Sequence, residues 1–253
     1  MRWLFANARN KARYAAQNPG YAVRALLREA SHADEKFLAA ITGSSVRQLR
    51  AYLDEPLDDP AFSANLGNAE KSFEGLEDFG ADLYAKKVLV QYAVVRAFRP
   101  EIVVETGVAN GVSSSYILLA LEKNKRGTLH SIDIGVDRYL PPGKTWGWVV
   151  PQFLRHRWDL RLGDAKILLP EVLASLRGTD IFIHDSLHTC DHMLWEFREA
   201  YPFLPDGGLL FADDALWNDA FWEFKREVQA KDGEIIRGVG YLRKDVRAKQ
   251  AGL

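Results

Sequence analysis

Three carboxylates stand at the ends of short apolar runs. Asp185 closes Asp180-Ile181-Phe182-Ile183-His184, and Asp213 and Asp214 close Gly208-Leu209-Leu210-Phe211-Ala212. Such runs read as buried parallel strands. Where the two strands are neighbours, all three acids meet at one edge of one sheet. Like charges so placed repel, and an oxygen-preferring cation is the simplest partner that would hold them together. His188 follows Asp185 by three residues, at or just before the next helix. An imidazole titrates near working pH, which suits a proton acceptor. A helix cap or a plain hydrogen-bonding role would also place a histidine there. His184, His188 and His192 recur every four residues, a spacing that on one helix would line up zinc ligands. His184 belongs to the strand before the helix, so the spacing is not that of one helix face.

A second constellation lies upstream. Strand 101–105 runs directly into Glu105-Thr106-Gly107-Val108-Ala109-Asn110-Gly111, and a helix follows. Glycines at 107 and 111 allow a sharp turn and close approach of a ligand to the backbone. The start of the helix offers free backbone N–H groups. The spacing is not Gly-x-Gly-x-x-Gly, and alone it is also explained by a structural turn. Two later acids add to it. Strand 128–133 ends in Asp133, which can accept hydrogen bonds from ribose hydroxyls. Strand 158–162 is followed by Gly163-Asp164-Ala165, where Asp164 could meet an adenine amine or cap the next helix.

These residues need a scaffold that brings strand ends together. From Glu101 onward the pattern alternates, with strands at 101–105, 128–133, 158–162, 179–185 and 207–213. Helices lie between them at about 112–124, 165–177, 189–201 and 216–231. Alternation of this kind predicts an α/β fold with a parallel sheet covered on both faces. Strand candidates 234–238 and 240–244 are too close in sequence for a helical crossover, so they pair antiparallel. Ahead of the sheet, residues 81–98 form a helix with Leu83, Val88, Tyr92, Val95 and Phe98 on its apolar face. Residues 1–60 read as a helical arm, broken at Asn18-Pro19-Gly20 and closed by a linker at 54–60 that is rich in proline and acid. The main domain spans 61–253 and begins loop-rich over 61–80. Residues 135–157 interrupt the alternation with Pro141-Pro142-Gly143, Trp146, Trp148 and Phe153, followed by Trp158. They form either a lid or substrate wall, or aromatics that cap the core.

Composition narrows the function classes. The 253 residues are 47% apolar and carry a net charge of −1, so no overall basic character points to nucleic acid. The single cysteine, Cys190, forms no internal disulfide, and the composition suits a reducing, cytoplasmic setting. No apolar run reaches membrane-spanning length. The first thirty residues are locally basic, with Trp3, Leu4 and Phe5 adjacent. That pattern fits a solvated arm or one packed on a second copy in a homo-oligomer, and peripheral membrane contact is the less favoured reading.

The segment Val103-Val104-Glu105-Thr106-Gly107-Val108-Ala109-Asn110-Gly111 resembles the first motif of class I S-adenosylmethionine-dependent methyltransferases. The resemblance covers about residues 85–245. It implies a Rossmann-like seven-stranded sheet with an antiparallel last strand. It also implies an S-adenosylmethionine site made by Glu105, Thr106, Gly107, Asn110, Gly111, Asp133, Asp164 and His184. The turn 105–111 would face the methionine part, Asp133 the ribose and Asp164 the adenine. Asp185, Asp213 and Asp214 resemble the magnesium ligands of the catechol and macrolide-sugar O-methyltransferases, where one Asp follows the fourth strand and an acidic pair the fifth.

The expected activity is therefore magnesium-assisted O-methylation of a small hydroxylated molecule, sugar-like or diol-like. Asp185 and His188 would act at the reacting oxygen. In the catechol type a lysine stands where His188 does, and in several sugar-type enzymes an acid stands one residue earlier, where this chain has Leu187. Two other readings stay open: a zinc-dependent hydrolase built on His184, Asp185 and His188, and a cofactor-binding scaffold protein without turnover.

Overall fold

The computed structural model describes residues 33–73 and 83–246. The expected arm over 1–32 and its break at 18–20 lie outside the described residues. Helices α1 (Ala33–Thr42), α2 (Val46–Asp58), α3 (Pro60–Phe73) and α4 (Lys86–Phe98) come first. The α/β alternation follows: β1 (Ile102–Thr106), α5 (Val112–Asn124), β2 (Thr128–Asp133), β3 (Trp158–Leu162), α6 (Ala165–Leu176), β4 (Ile181–His184), α7 (Cys190–Ala200), β5 (Leu209–Ala212), α8 (Ala220–Glu227), β6 (Gly233–Ile236) and β7 (Val239–Arg243). The seven strands make one sheet in the order β3-β2-β1-β4-β5-β7-β6. Strands β1 to β5 are parallel, and β7 runs antiparallel to both β5 and β6.

The sheet divides the core in two, and the strand period of two decides which side each residue serves. Val103, Ile181, Ile183, Leu209 and Phe211 pack with α4, α5 and the N-terminal helices. Val104, Phe182, Leu210 and Ala212 pack with α6, α7 and α8. Burial on both faces explains why these strands read as continuous apolar runs rather than as alternating ones.

Two expectations ahead of the sheet are corrected. The acidic, proline-bearing stretch at 54–60 is not an open linker, and 61–73 is not a loop. Pro56 is buried inside α2. Pro60 starts α3, where a proline's missing N–H costs nothing. Asp59 is the reason the chain can restart at once: its Oδ1 accepts the Phe62 N–H at 2.9 Å, and its Oδ2 meets Lys123 of α5 at 2.7 Å. Leu49 of α2 and Phe62 and Leu66 of α3 belong to the same buried cluster as Val103 and Ile181.

The 135–157 segment takes the core-capping one of its two expected roles and also packs on the turn after β1. Val149, Val150 and Leu154 are buried and the Trp158 indole donates to Ser131 at 2.7 Å, so this part caps the core. Trp148 is half-buried and donates to Asn110 Oδ1 at 2.7 Å, with Lys144 4.3 Å above its ring. Gly147 N–H to Ala109 C=O (2.8 Å) and Val149 N–H to Asn110 C=O (3.1 Å) stitch the loop to the turn after β1.

Candidate active site

Strands β1, β4 and β5 end level with one another, Thr106 beside His184 and His184 beside Ala212. The register continues one residue further: Asp185 N–H donates to Thr106 C=O and Asp213 N–H to His184 C=O, both at 2.8 Å. The pleat then sorts the side chains. Thr106 and His184 turn toward α7, while Asp213 turns to the opposite layer, toward α4.

On the α4 side the acids gather. Lys87 Nζ lies 2.6 Å from Asp213 Oδ2, with the two side chains 22% and 4% exposed. His188 Nε2 stands 3.6 Å from Asp185 Oδ1 and 3.4 Å from Asp214 Oδ2. One ligand atom each from Asp185, His188 and Asp213 fall within 4.8 Å of one another. Asp214 joins this group through His188 and adopts a left-handed backbone conformation, φ +48°, a strained choice for a side-chain-bearing residue. The Trp217 ring meets His188 edge-on at 5.2 Å, and Asn218 Nδ2 donates to the His188 carbonyl at 3.1 Å, fixing the loop.

The electrostatics follow from crowding. Loss of water around the carboxylate, then the charge of Asp213, push Asp185 well above the usual carboxylate range; Lys87 pulls against this and Asp214 adds to it. Burial pushes Asp213 up as well, but the charge and hydrogen bond of Lys87 outweigh it, helped by His188, and hold Asp213 below its ordinary value. Burial would lower Lys87, yet Asp213, Asp185 and Asp214 together raise it, so it stays charged. Asp213 Oδ1 and His188 Nδ1 are buried without a partner. Carboxylate oxygens converging around an unmet acceptor are what a hard divalent cation takes, with the His188 imidazole beside them rather than in an all-oxygen set. The residues present fit such an ion.

On the α7 side lies a network the sequence did not announce. Glu196 is fully buried and accepts from Thr106 Oγ1 (2.6 Å), Ser186 Oγ (2.8 Å), His184 Nδ1 (2.5 Å) and His192 Nε2 (3.0 Å). Burial raises its pKa, but the hydrogen bonds from His184 and His192 outweigh that and bring it to about 2. Thr106 and His184, expected at the cofactor, therefore spend their side chains holding the strand ends to α7. The trio His184, Asp185 and His188 does not converge as one ligand group among the described residues: the group that does is Asp185, His188 and Asp213, while the His184 ring, 5.2 Å from that of His188, commits its Nδ1 to Glu196. A depressed carboxylate stabilises the fold above its unfolded pKa, 4.5, and loses that effect as pH falls toward 2. Glu196→Gln is expected to cost about 3 kcal/mol at pH 7. The gap to the parent chain should narrow at pH 3, as read from urea unfolding midpoints. A gap that ignores pH would make the loss steric.

The turn after β1 touches the acid cluster directly. Gly107 has φ +86°, and a Cβ there would lie 2.0 Å from the Asp185 carbonyl oxygen. Gly111, at φ +80°, is the N-cap of α5. Asp133 reaches under the turn: Oδ2 accepts the N–H groups of Val108 and Ala109 at 2.9 Å each, and Oδ1 accepts Gly135 N–H at 2.8 Å. In the structure Asp133, the residue expected at the ribose, holds the turn in shape. Glu105 is buried and accepts from Ser114 and Ser131 at 2.6 Å each, so its side chain faces α5 and not an open pocket. Burial, opposed by those hydroxyls and aided by Asp133, brings it to about 7. Asp164 is exposed and caps α6 through Lys166 N–H at 2.9 Å, the second of its two expected roles.

Comparison with known proteins bears on this geometry. Residues 104–215 match the family model described as a methyltransferase domain, from within β1 to just past Asp214. No curated protein sequence matches the chain significantly. Among solved structures, the "putative O-methyltransferase from Klebsiella pneumoniae" aligns with a TM-score of 0.53 and 16% identity, over 78% of this chain and 96% of that one. CalS11, a calicheamicin methyltransferase, aligns at 0.48 and 16%, over 73% and 93%. MycE from the mycinamycin pathway, solved with Mg, SAH and mycinamycin VI, aligns at 0.44 and 17%, over 63% of this chain and 48% of that one. This chain thus spans about half the length of MycE. At such identities the likeness is one of fold. The central strands thus match a methyltransferase-domain model, and the 3-2-1-4-5-7-6 sheet shares its fold with the Klebsiella pneumoniae structure.

Proposed function

We propose that the protein transfers a methyl group from S-adenosylmethionine to a hydroxyl of a small hydroxylated molecule, with a divalent cation, magnesium by its donor set, held by Asp185, Asp213 and Asp214. One observation carries this reading: the acid cluster and the turn after β1 share a wall, since Gly107 abuts the backbone of Asp185. A donor seated on the turn and an acceptor oxygen at the acids would then be neighbours, as in-line displacement requires. A bound cation would polarise the substrate hydroxyl and fix its position.

The chain's own residues do the rest. His188, held between Asp185 and Asp214, takes the hydroxyl proton. The oxygen forms its bond to the methyl carbon as the carbon–sulfur bond breaks, and the sulfur leaves as a neutral thioether. Trp217, edge-on to His188, offers an apolar face beside the acids, which would limit water. Asp133 secures the donor's turn. The near-zero net charge supports a small-molecule acceptor over nucleic acid, and among the described residues no helix is long and apolar enough to cross a membrane.

The test is calorimetric titration of the full chain with S-adenosylmethionine and with magnesium, followed by methyl-transfer assays on a panel of sugars and vicinal diols. Asp133→Ala is expected to weaken S-adenosylmethionine binding tenfold or more while leaving magnesium affinity within a few-fold. Cofactor binding without turnover on any acceptor would favour the scaffold reading. Zinc retained through purification, with no cofactor binding, would favour the hydrolase.

A further inference from the structure

We propose that Lys87 is a resident cation of the acid cluster, which a divalent metal must displace, so that metal loading is coupled to the first turn of α4. The inference rests on the metal reading above and deepens it. Lys87 Nζ occupies one oxygen of Asp213 at 2.6 Å, while the other oxygen of the same carboxylate is buried and unpartnered. A divalent ion bound to Asp213 at about 2.1 Å would sit within roughly 4–5 Å of the ammonium. Two cations at that distance, with little water between them, repel strongly. The ammonium must therefore move, or the ion binds against its charge.

The helix that carries Lys87 offers it little reason to stay. Lys86 and Lys87 open α4, there is no acid in its first turn, and the N-cap residue Ala85 makes no side-chain cap. Positive charge at a helix N-terminus opposes the macrodipole, and an uncapped start leaves backbone N–H groups without partners. The pairing with Asp213 ties the exposed side of this turn to the end of β5, while Val88 and Ala85 pack on the core and the Tyr116 hydroxyl holds the Leu83 carbonyl at 2.7 Å. An ion that replaces the ammonium at the carboxylates frees the Lys87 side chain and removes this turn's tie to β5, and removal of the ion restores it. Residues 83–85 lead directly into this turn, so loading would be felt at their link to α4.

The experiment is calorimetric titration of Mg2+ and Mn2+ into the full-length parent chain, Lys87→Met and Lys87→Gln, with thermal melts with and without metal. The Met variant is expected to bind either ion at least tenfold more tightly than the parent. Its melting temperature without metal should be lower, and its rise on adding metal larger. The Gln variant should give the same ordering, and it decides the matter if the Met variant does not fold. Metal affinity equal to or weaker than the parent's in both variants would overturn the role of Lys87 while leaving the metal site standing. No binding of either ion by any of the three chains would overturn the metal reading and this inference with it.

Discussion

Asp213→Asn is expected to lower methyl transfer by about a thousandfold while S-adenosylmethionine affinity stays within a few-fold. The magnitude is that of losing a principal electrostatic contact at the reacting oxygen. The side chain is nearly isosteric, so the strand end keeps its backbone bond from Asp213 N–H to His184 C=O, and the turn after β1 is not disturbed. What changes is charge. The carboxylate is 4% exposed and is the partner of a lysine 22% exposed. Removing it leaves that ammonium facing a neutral amide, at a cost of about 3 kcal/mol where the partner cannot reach water. Lys87 can reach water, so the folded state should survive with a lower melting temperature. Single-turnover assays at saturating S-adenosylmethionine, with cofactor affinity measured separately, would read the two effects apart. Equal loss of cofactor binding and turnover would place Asp213 at the donor instead of the acceptor.

The strand ends were legible because their chemistry is local. Apolar runs buried on both faces have a clear sequence signature, and the acids that follow such runs fall at the carboxyl edge of the sheet. Asp185, Asp213 and Asp214 therefore sit where their positions in the chain imply, and the antiparallel last pair follows from its short connection. The partners of those acids were not legible in the same way. Lys87 is separated from Asp213 by 126 residues, and on α4 it looks like an ordinary polar residue opening an apolar helix. The signal that could have raised it is negative: two lysines at a helix start with no acid and no capping side chain. Glu196 was hidden for another reason. Its role depends on which way Thr106 and His184 point, and the strand period gives that direction only once the facing of each strand is known. The same period would have turned Glu105 toward α5, where Ser114 and Ser131 meet it. At the N-terminal helices the punctuation of the sequence misleads. Proline and acid at 54–60 read as a break, whereas Asp59 followed by Pro60 is the cap and first residue of the next helix.

Gly107→Ala is expected to remove cofactor binding and divalent-ion binding together, which no single change at the acids should do. Two independent causes add. Gly107 has φ +86°, where any Cβ costs on the order of 1–2 kcal/mol. The new methyl would also lie 2.0 Å from the carbonyl oxygen and 2.4 Å from the carbonyl carbon of Asp185, and 2.9 Å from Ser186 N. Those neighbours are backbone, so no rotamer change relieves the clash. Either the turn after β1 lifts away from the sheet or the end of β4 retreats. Lifting the turn breaks the Gly107 N–H to Ile132 C=O bond of 2.8 Å and pulls Val108 and Ala109 from Asp133. Retreat of β4 moves Asp185 away from His188 and Asp213. Both halves of the site depend on this one contact, so the loss should be joint, with a stability penalty of about 3 kcal/mol or more. Calorimetry with each ligand on the folded variant, confirmed by circular dichroism, would read it. Retention of either ligand at parental affinity would mean that the turn and the acids move independently, and that donor and acceptor are not held by a common wall.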